Sequence, residues 1–353
     1  MLHTLSTALA VKNPPINASQ DDVAMVLVPM YHVHAWGWPW STMLGGHRKI
    51  VYPGRFDWGG HILKLIHEEG GITLSAGVPT ILYNLLNHPD SPKYDLSRLK
   101  FIVGGAALPE GLLKAAQARG GMTVISGYGL TETAPVLTIA YLRPDHRDLP
   151  PERKNEIYLR TGIVIPLVQL RVVDEQDRDV PKDGKTIGEI AVRAPWLFKE
   201  YIGDPEKTRN AWRNGWFHTG GDAAVWFPDN YVKIADRLKD VIKSGGEWIP
   251  SLRLEDLIST HPGVNLVAVV GVPHEKWGGE RPVAIIVPKP GYEGRLTEDE
   301  IRSYLMQFVE RGGEIPKWWI PDKVIFVKEL PLTSTGKIDK KVLRDQYKDV
   351  LSK

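Results

Sequence analysis

Lys337 lies in the turn Pro331–Lys341, "PLTSTGKIDKK", among Thr, Ser and Gly. A cation held there can stabilise negative charge that develops in a transition state, provided bulk water is kept out. The alternative is a solvated lysine in a strand-to-helix turn, where Gly336 permits the bend and the hydroxyls satisfy local backbone groups. The stretch Ser126–Thr133, "SGYGLTET", surrounds one acid, Glu132, with Gly and hydroxyls. Gly127 and Gly129 let backbone approach a ligand closely. Tyr128 can stack on a flat ring, and Glu132 can hold a hard cation such as magnesium. The alternative is a strand-to-helix connection with a capping Thr. In "WFHTGGDAAVW" (Trp216–Trp226), Asp222 ends a loop, and its carboxylate can accept two hydroxyls of a ribose. "ADRLKDVIKSGGEWI" (Ala235–Ile249) sets Arg237, Lys239 and Lys243 ahead of a Gly pair and Glu247. Each segment alone reads as a solvated charged turn; all of them in this order are hard to explain as coincidence. "YHVHAW" puts His32 and His34 two apart, on one face if the segment is a strand. It has no third ligand nearby for a metal site. Trp36, Trp38 and Trp40 follow closely enough to pack as an aromatic core.

These residues need elements to hold them. From Ala24 to Gly129, short apolar runs alternate with helical patterns. "KIVY", "ITLSAG", "KFIVGG" and "MTVISG" read as buried strands, and "WGGHILKLIHEEG" and "LPEGLLKAAQARG" as helices stopped by Gly. Such alternation implies a largely parallel sheet with helices packed on it, and ligands beyond the carboxyl ends of its strands. "VGGAA" and "SGYGLTET" both fall at such ends. From about Ile163, shorter strands broken by Asp, Gly and Pro predict an antiparallel β region. Beyond Asp236, strand runs and helices mix as in a small α+β domain. The expected division is 1–235, with an α/β part over 1–150 and a β-rich part over 160–235, followed by 236–353.

Bulk properties narrow the function classes. At 353 residues the chain is longer than one typical core. The 44 basic and 42 acidic residues leave a net charge of +2, which argues against a nucleic-acid footprint. The chain has no cysteine, which excludes disulfides, thiolate metal sites and a cysteine nucleophile. No run of about 18 apolar residues exists, so no transmembrane segment is expected. The opening "MLHTLSTALAVKNPP" lacks the basic region of a signal peptide. It predicts an amphipathic helix with Leu2, Leu5 and Leu9 on one face.

The motifs "VPMYHVHAWG", "GGAAL", "YGLTET", "HTGGD", "DRLKDVIKSGGEWI" and "PLTSTGKI" together resemble the adenylate-forming superfamily. Within it the chain resembles AMP-forming acyl-CoA synthetases, with "HVHAW" and "KSGGEW" leaning towards medium- and long-chain fatty-acid members. The resemblance covers nearly all of the chain. It implies the remnant of a large multi-layer α/β domain with a β-rich subdomain, then a small mobile α+β domain. It implies ATP or AMP, magnesium and coenzyme A, with a fatty acid or another small carboxylic acid as substrate. Tyr128 would stack near adenine, with Gly104, Gly105 and Ala106 lining that pocket. Gly127 and Gly129 would bring backbone close to the nucleotide. Thr131 would contact the α-phosphate, Glu132 would bind magnesium, and Asp222 and Arg237 would hold the ribose hydroxyls. His32 would lie beside the adenylate, and Lys337 would be the lysine of adenylation. Lys239 would be the hinge, and Gly245, Gly246 and Glu247 would approach the pantetheine of CoA. Trp36 resembles an indole that gates the acyl tunnel, with Gly77 and Val78 in the pocket.

Two departures are expected to matter. The family's Thr/Ser/Gly-rich phosphate loop has no counterpart, so the chain resembles the C-terminal two-thirds or so of a full enzyme. Weak or absent adenylation is then expected, with apolar surface exposed. Self-association, as in a homodimer, is one way to cover it. In "HTGGD", Gly221 is extra, and Asp222 reaches ribose only if the loop bulges. A different acid, such as an aryl acid, and a non-catalytic AMP-binding remnant or partner subunit stay open beside the fatty-acid reading. The expected compartment is the cytoplasm.

Overall fold

The computed structural model describes residues 1–54, 61–68, 71–119, 121–237, 240–245, 247–274, 279–310 and 313–352. The chain divides into two compact units, 1–108 with 112–234, and 109–111 with 235–353.

In the first unit, seven strands form one sheet. They are β1 (Val23–Val26), β2 (Lys49–Val51), β3 (Leu74–Gly77), β4 (Lys100–Val103), β5 (Thr123–Gly129), β6 (Val136–Ile139) and β7 (Ile163–Val164). Their order is β2-β1-β3-β4-β5-β6-β7. The first five pair in parallel, as expected for strands separated by helices. β1 and β3 are buried at every position, which is why their sequences do not alternate; the one polar residue, Ser75 of β3, donates its hydroxyl to the Met25 carbonyl at 2.8 Å. β2 differs from the expected buried strand: Lys49 is exposed, Ile50 is half-buried, and only Val51 is buried. It is the edge strand, and a lysine on an edge discourages pairing with other chains.

After β5 the chain does not enter a helix. A single 3₁₀ turn, Thr131–Thr133, leads into β6, which runs antiparallel to β5. The expected connection to a helix is therefore replaced by a reversal within the sheet. A second sheet has β8 (Gln169–Val173), β9 (Ile187–Arg193), β10 (Trp212–Arg213) and β11 (Trp216–Trp226) in the order β10-β11-β9-β8, with β12 (Val232–Arg237) also paired to β11. Its described ladders β8–β9, β9–β11 and β10–β11 are antiparallel, in line with the turn-rich sequence. Ile102, Ile125 and Leu137 of the first sheet share one apolar cluster with Val172, Ile190 and Phe217 of the second.

The opening helix, Leu2–Ala10, forms as expected but faces the other way. Leu2, Leu5 and Leu9 are 47%, 43% and 47% exposed, whereas His3, Ser6 and Thr7 are buried. Partners explain the inversion. The Ser6 hydroxyl donates to the carbonyl of Pro166 at 2.5 Å, and His3 Nε2 accepts the backbone N–H of Val136 at 3.1 Å. Buried polar groups are tolerated when they are hydrogen-bonded in this way.

The second unit holds a hairpin of β13 (Ile242–Ser244) and β14 (Glu247–Ile249), and a three-stranded sheet of β15 (Val264–His274), β16 (Gly279–Pro288) and β17 (Lys323–Phe326). β15 and β16 are antiparallel, and β16 and β17 are parallel. Along β15, Val267 and Val269 face a core with Leu254, Ile258, Ile301 and Leu305. The alternate residues Ala268, Val270 and Val272 face a second core with Leu330 and Leu343. Helices Ser251–Ser259 and Glu298–Glu310 supply the first core, and helix Lys340–Tyr347 supplies Leu343 to the second.

Candidate active site

In the first unit, the carboxyl ends of β3, β4 and β5 lie side by side, with Gly77 opposite Val103 and Val103 opposite Ser126. The Gly104 N–H donates to the Gly77 carbonyl at 3.0 Å, which carries the pairing one residue past the strand. Gly104, Gly105 and Ala106 therefore begin where the parallel sheet ends. A Cβ on Gly104 would stand 3.2 Å from the Gly127 carbonyl and 3.2 Å from the ring of Trp36. Glycine at 104 thus lets the Trp36 indole and the β5 backbone close on the same point. Val78 is buried, and a Cβ on Gly77 would meet Ile81 and Phe101, so both residues pack on the core side of this edge.

Tyr128, near the end of β5, donates its hydroxyl to Asp222 Oδ2 at 2.6 Å across 94 residues of sequence. Asp222 is only 6% exposed. Its position depends on an irregularity in β11. From His218 to Ala223 that strand advances five residues, while β9 opposite it advances two, from Ala191 to Glu189. Gly220 and Gly221 bridge the excess at φ of 76° and 109°, values that favour glycine. The loop does bulge, and the extra Gly221 is part of the bulge that delivers Asp222.

Thr131 and Glu132 occupy the 3₁₀ turn just past β5. Thr131 is exposed and Glu132 half-buried. The turn is held by Thr133, whose Oγ1 accepts the Leu130 N–H at 2.9 Å and donates to the Pro135 carbonyl. A second segment, unremarked in the sequence, grips it from outside. Trp196 Nε1 donates to the Thr133 carbonyl at 2.9 Å, the Phe198 N–H to the Glu132 carbonyl at 3.1 Å, and the Tyr201 hydroxyl to Glu132 Oε1 at 2.9 Å. The aromatic run "PWLFKEY" was the only trace of this contact in the sequence.

His32 and His34 do not share a strand face. Val33, His34, Ala35 and Trp36 have φ of 48°, 51°, 52° and 59°, a left-handed turn. Each such residue costs roughly 1–2 kcal/mol, so surrounding contacts must hold the turn. His32 is half-buried and His34 exposed. The three tryptophans also separate: Trp36 is half-buried, Trp38 is 4% exposed and Trp40 is 50% exposed. A single aromatic core of all three is thereby excluded.

In the second unit, Lys337 closes a turn rather than a simple strand-to-helix link. Leu332 and Ile338 form an antiparallel bridge around it. The Thr333 N–H donates to the Lys337 carbonyl at 2.7 Å, and Thr333 Oγ1 accepts the Lys337 N–H at 3.2 Å. Gly336, at φ 79°, makes the reversal. Arg237 ends β12, and its N–H donates to its neighbour Asp236 Oδ1 at 2.8 Å. Asp236 Oδ2 in turn accepts from the Ser251 N–H and hydroxyl at 2.5 and 2.7 Å. Gly245 and Glu247 are exposed at the tip of the β13–β14 hairpin. Lys239 and Gly246 lie outside the described residues.

Among the described residues, no group of three or more His, Asp or Glu could hold a metal ion. Glu132 as a single carboxylate suits magnesium, which is usually held by one or two carboxylates together with substrate phosphates. No helix among the described residues is long and apolar enough to cross a membrane.

Comparison with known proteins agrees with this arrangement. Residues 1–202 match the AMP-binding enzyme family, and residues 253–337 match the AMP-binding enzyme C-terminal domain. The chain is 41% identical to a long-chain-fatty-acid–CoA ligase of Thermus thermophilus, over 99% of this chain and 62% of that protein. It is 39% identical to a 3-methylmercaptopropionyl-CoA ligase of Ruegeria lacuscaerulensis, over 96% of this chain and 60% of that protein. The crystal structure of ATP-bound MatB from Rhodopseudomonas palustris superposes with a TM-score of 0.78 at 30% identity, over 99% of this chain and 64% of that one. The chain therefore spans less than two thirds of the length of these relatives. With both domains matched in sequence order, the chain belongs to the AMP-binding enzymes, the superfamily of adenylate-forming acyl-CoA synthetases.

Proposed function

We propose that this chain carries the adenylate-forming site of an AMP-forming acyl-CoA ligase whose acid is a fatty acid. The Tyr128–Asp222 hydrogen bond at the carboxyl end of the parallel sheet supports this best. It fixes an aromatic ring and a carboxylate side by side, one suited to a base and the other to ribose hydroxyls. Gly104, Gly105 and Ala106 would flank the adenine with Gly127 and Gly129, and Arg237 would be the second ribose ligand. Thr131 would contact the α-phosphate. Glu132 would hold magnesium, which when bound offsets charge on the phosphates.

The chemistry is activation of a poor electrophile. A carboxylate oxygen attacks the α-phosphorus and pyrophosphate leaves. In the transition state negative charge passes from the carboxylate to the phosphoryl oxygens and the departing pyrophosphate, and the Lys337 ammonium and His32 would stabilise it. In the second half-reaction the CoA thiol attacks the carbonyl and AMP leaves, with Gly245, Gly246 and Glu247 beside the pantetheine. Lys239 would be the hinge between the two half-reactions. Trp36, Gly77 and Val78 would meet the acyl chain. The identity to a long-chain-fatty-acid–CoA ligase supports that acid class. A second reading keeps AMP binding at the same Tyr128–Asp222 pair without the chemistry.

The test is pyrophosphate release by the 353-residue chain with magnesium-ATP, CoA and acids from acetate to palmitate, with Lys337→Ala as control. Weak release that depends on Lys337 and peaks with the longer acids is the result that supports this assignment. Release peaking with an aryl or short acid would overturn the fatty-acid assignment. AMP retention without any release would select the second reading.

A further inference from the structure

The turn that bears Glu132 is gripped by a segment outside every motif used so far. Three donors from Trp196, Phe198 and Tyr201 converge on Glu132 and Thr133, at 2.9, 3.1 and 2.9 Å. Two of them reach backbone carbonyls and would hold the turn whatever residue stood at 132. The third reaches the carboxylate itself. By accepting on Oε1, Glu132 has the plane of its carboxylate set, and with it the direction of Oε2.

Tyr201 is itself well held. Its ring lies 4.7 Å from that of Phe198, which stands edge-on to Phe217 at 5.0 Å. The Lys207 ammonium sits 3.9 Å from the Tyr201 ring centre, and the Tyr201 N–H donates to Thr208 Oγ1 at 2.9 Å. The Tyr201 hydroxyl lies 2.9 Å from Glu132 Oε1, and a carboxylate only accepts, so the phenol is the donor.

We infer that Tyr201 is a positioning residue: its hydroxyl orients the Glu132 carboxylate to receive the divalent cation carried by the nucleotide. The inference rests on the reading of Glu132 given above and extends it to a residue 69 positions away. The physical reason is general. Hydrogen-bonded partners of a ligating carboxylate fix its orientation, and removing them commonly weakens metal affinity about 10-fold or more. A tyrosine that only tied two loops together would have no reason to act through the carboxylate.

A double-mutant cycle on the full chain separates these roles. Mn²⁺ with ATP is the probe, and the loss of the free-ion EPR signal reports retention. Tyr201→Phe should weaken retention about 10-fold, and Glu132→Gln at least as much. Tyr201→Phe added to Glu132→Gln should cost nothing further, because the hydroxyl acts only through the carboxylate. Melting curves of each variant accompany the titrations, and Tyr201→Phe should melt within a few degrees of the parent. Parent-like retention by Tyr201→Phe would overturn the inference. So would an equal loss in the Glu132→Gln background, which marks a merely structural tyrosine. Parent-like retention by Glu132→Gln would instead overturn the reading of Glu132. No retention by the parent chain would overturn the nucleotide reading before any variant is considered.

Discussion

Acidification should loosen the turn that bears Glu132 through His3. This imidazole is 8% exposed and lies edge-on to Trp196 at 5.4 Å. Its Nε2 accepts the Val136 N–H, so the neutral ring carries its proton on Nδ1. Val136 opens β6, directly after the turn bearing Glu132, and Trp196 donates to that same turn. Burial, and then the charge of the chain's N-terminus, lower His3 from 6.5 to about 4. The folded form thus binds its proton less readily than the unfolded form. The resulting stability is complete above pH 6.5 and is lost as pH falls towards 4. A fall of that size corresponds to about 3 kcal/mol, of which about 2 kcal/mol is already gone at pH 5. His3→Gln removes the titration while keeping an acceptor. Urea unfolding of both proteins, followed by tryptophan fluorescence at pH 7.5, 6.5, 5.5 and 5, isolates this one residue, because other titrating groups cancel in the difference. The parent should lose about 2 kcal/mol more than His3→Gln over that range. A difference that stays flat with pH, or one that favours the parent in acid, would refute the argument.

Gly129→Ala should unfold or severely weaken the first unit, by about 3 kcal/mol or more, because a Cβ there would stand 1.9 Å from the Pro135 carbonyl oxygen. Urea titration reads this directly, and a near-parent midpoint would show that the turn can shift without cost. Asp222→Ala removes the carboxylate that accepts the Tyr128 hydroxyl and should weaken AMP binding by calorimetry about 10-fold; unchanged affinity would remove Asp222 from the ribose site. In the second unit, Lys340 Nζ meets Glu255 Oε1 at 2.7 Å and the Ser251 hydroxyl at 2.8 Å. Lys340→Met leaves that carboxylate without its cation and should cost about 3–5 kcal/mol. Adding Glu255→Gln, which still accepts the Val269 N–H, should restore most of the loss, and no restoration would mean the pair's charge is irrelevant.

The parallel half of the first sheet was legible because strands buried on both faces must be apolar at every position. β3 and β4 meet that condition almost completely, and their carboxyl ends mark the glycine loops. The opening helix shows what such patterns leave out. Periodicity correctly grouped Leu2, Leu5 and Leu9, yet the opposite face is the buried one. Which face goes inward was decided by Pro166 and Val136, partners 160 and 133 residues away that no local window contains. The reversal after β5 was missed for a related reason. Thr131–Thr133 has the residues of a helix start, but its hydrogen bonds close on Pro135 and turn the chain back along the sheet. Likewise the hold of Tyr201 on Glu132 has no spacing to betray it, only aromatic residues in an unremarkable loop.

Gly221 joins sequence and site most directly. In a regular strand, one inserted residue turns every later side chain to the opposite face. Asp222 would then point away from Tyr128, and the carboxylate would be lost from the site. β11 avoids this because Gly221 falls within a break in the ladder, between His218 and Ala223. Pairing resumes at Ala223 opposite Glu189, so the rest of the strand keeps its facing and Asp222 sits at the bulge's end with its acid on Tyr128. A bulge re-aims a side chain while the pairing beyond it is kept. The extra glycine is thus compatible with the ribose assignment. What it alters is the path by which the backbone reaches Asp222, not the bond the carboxylate makes on arrival.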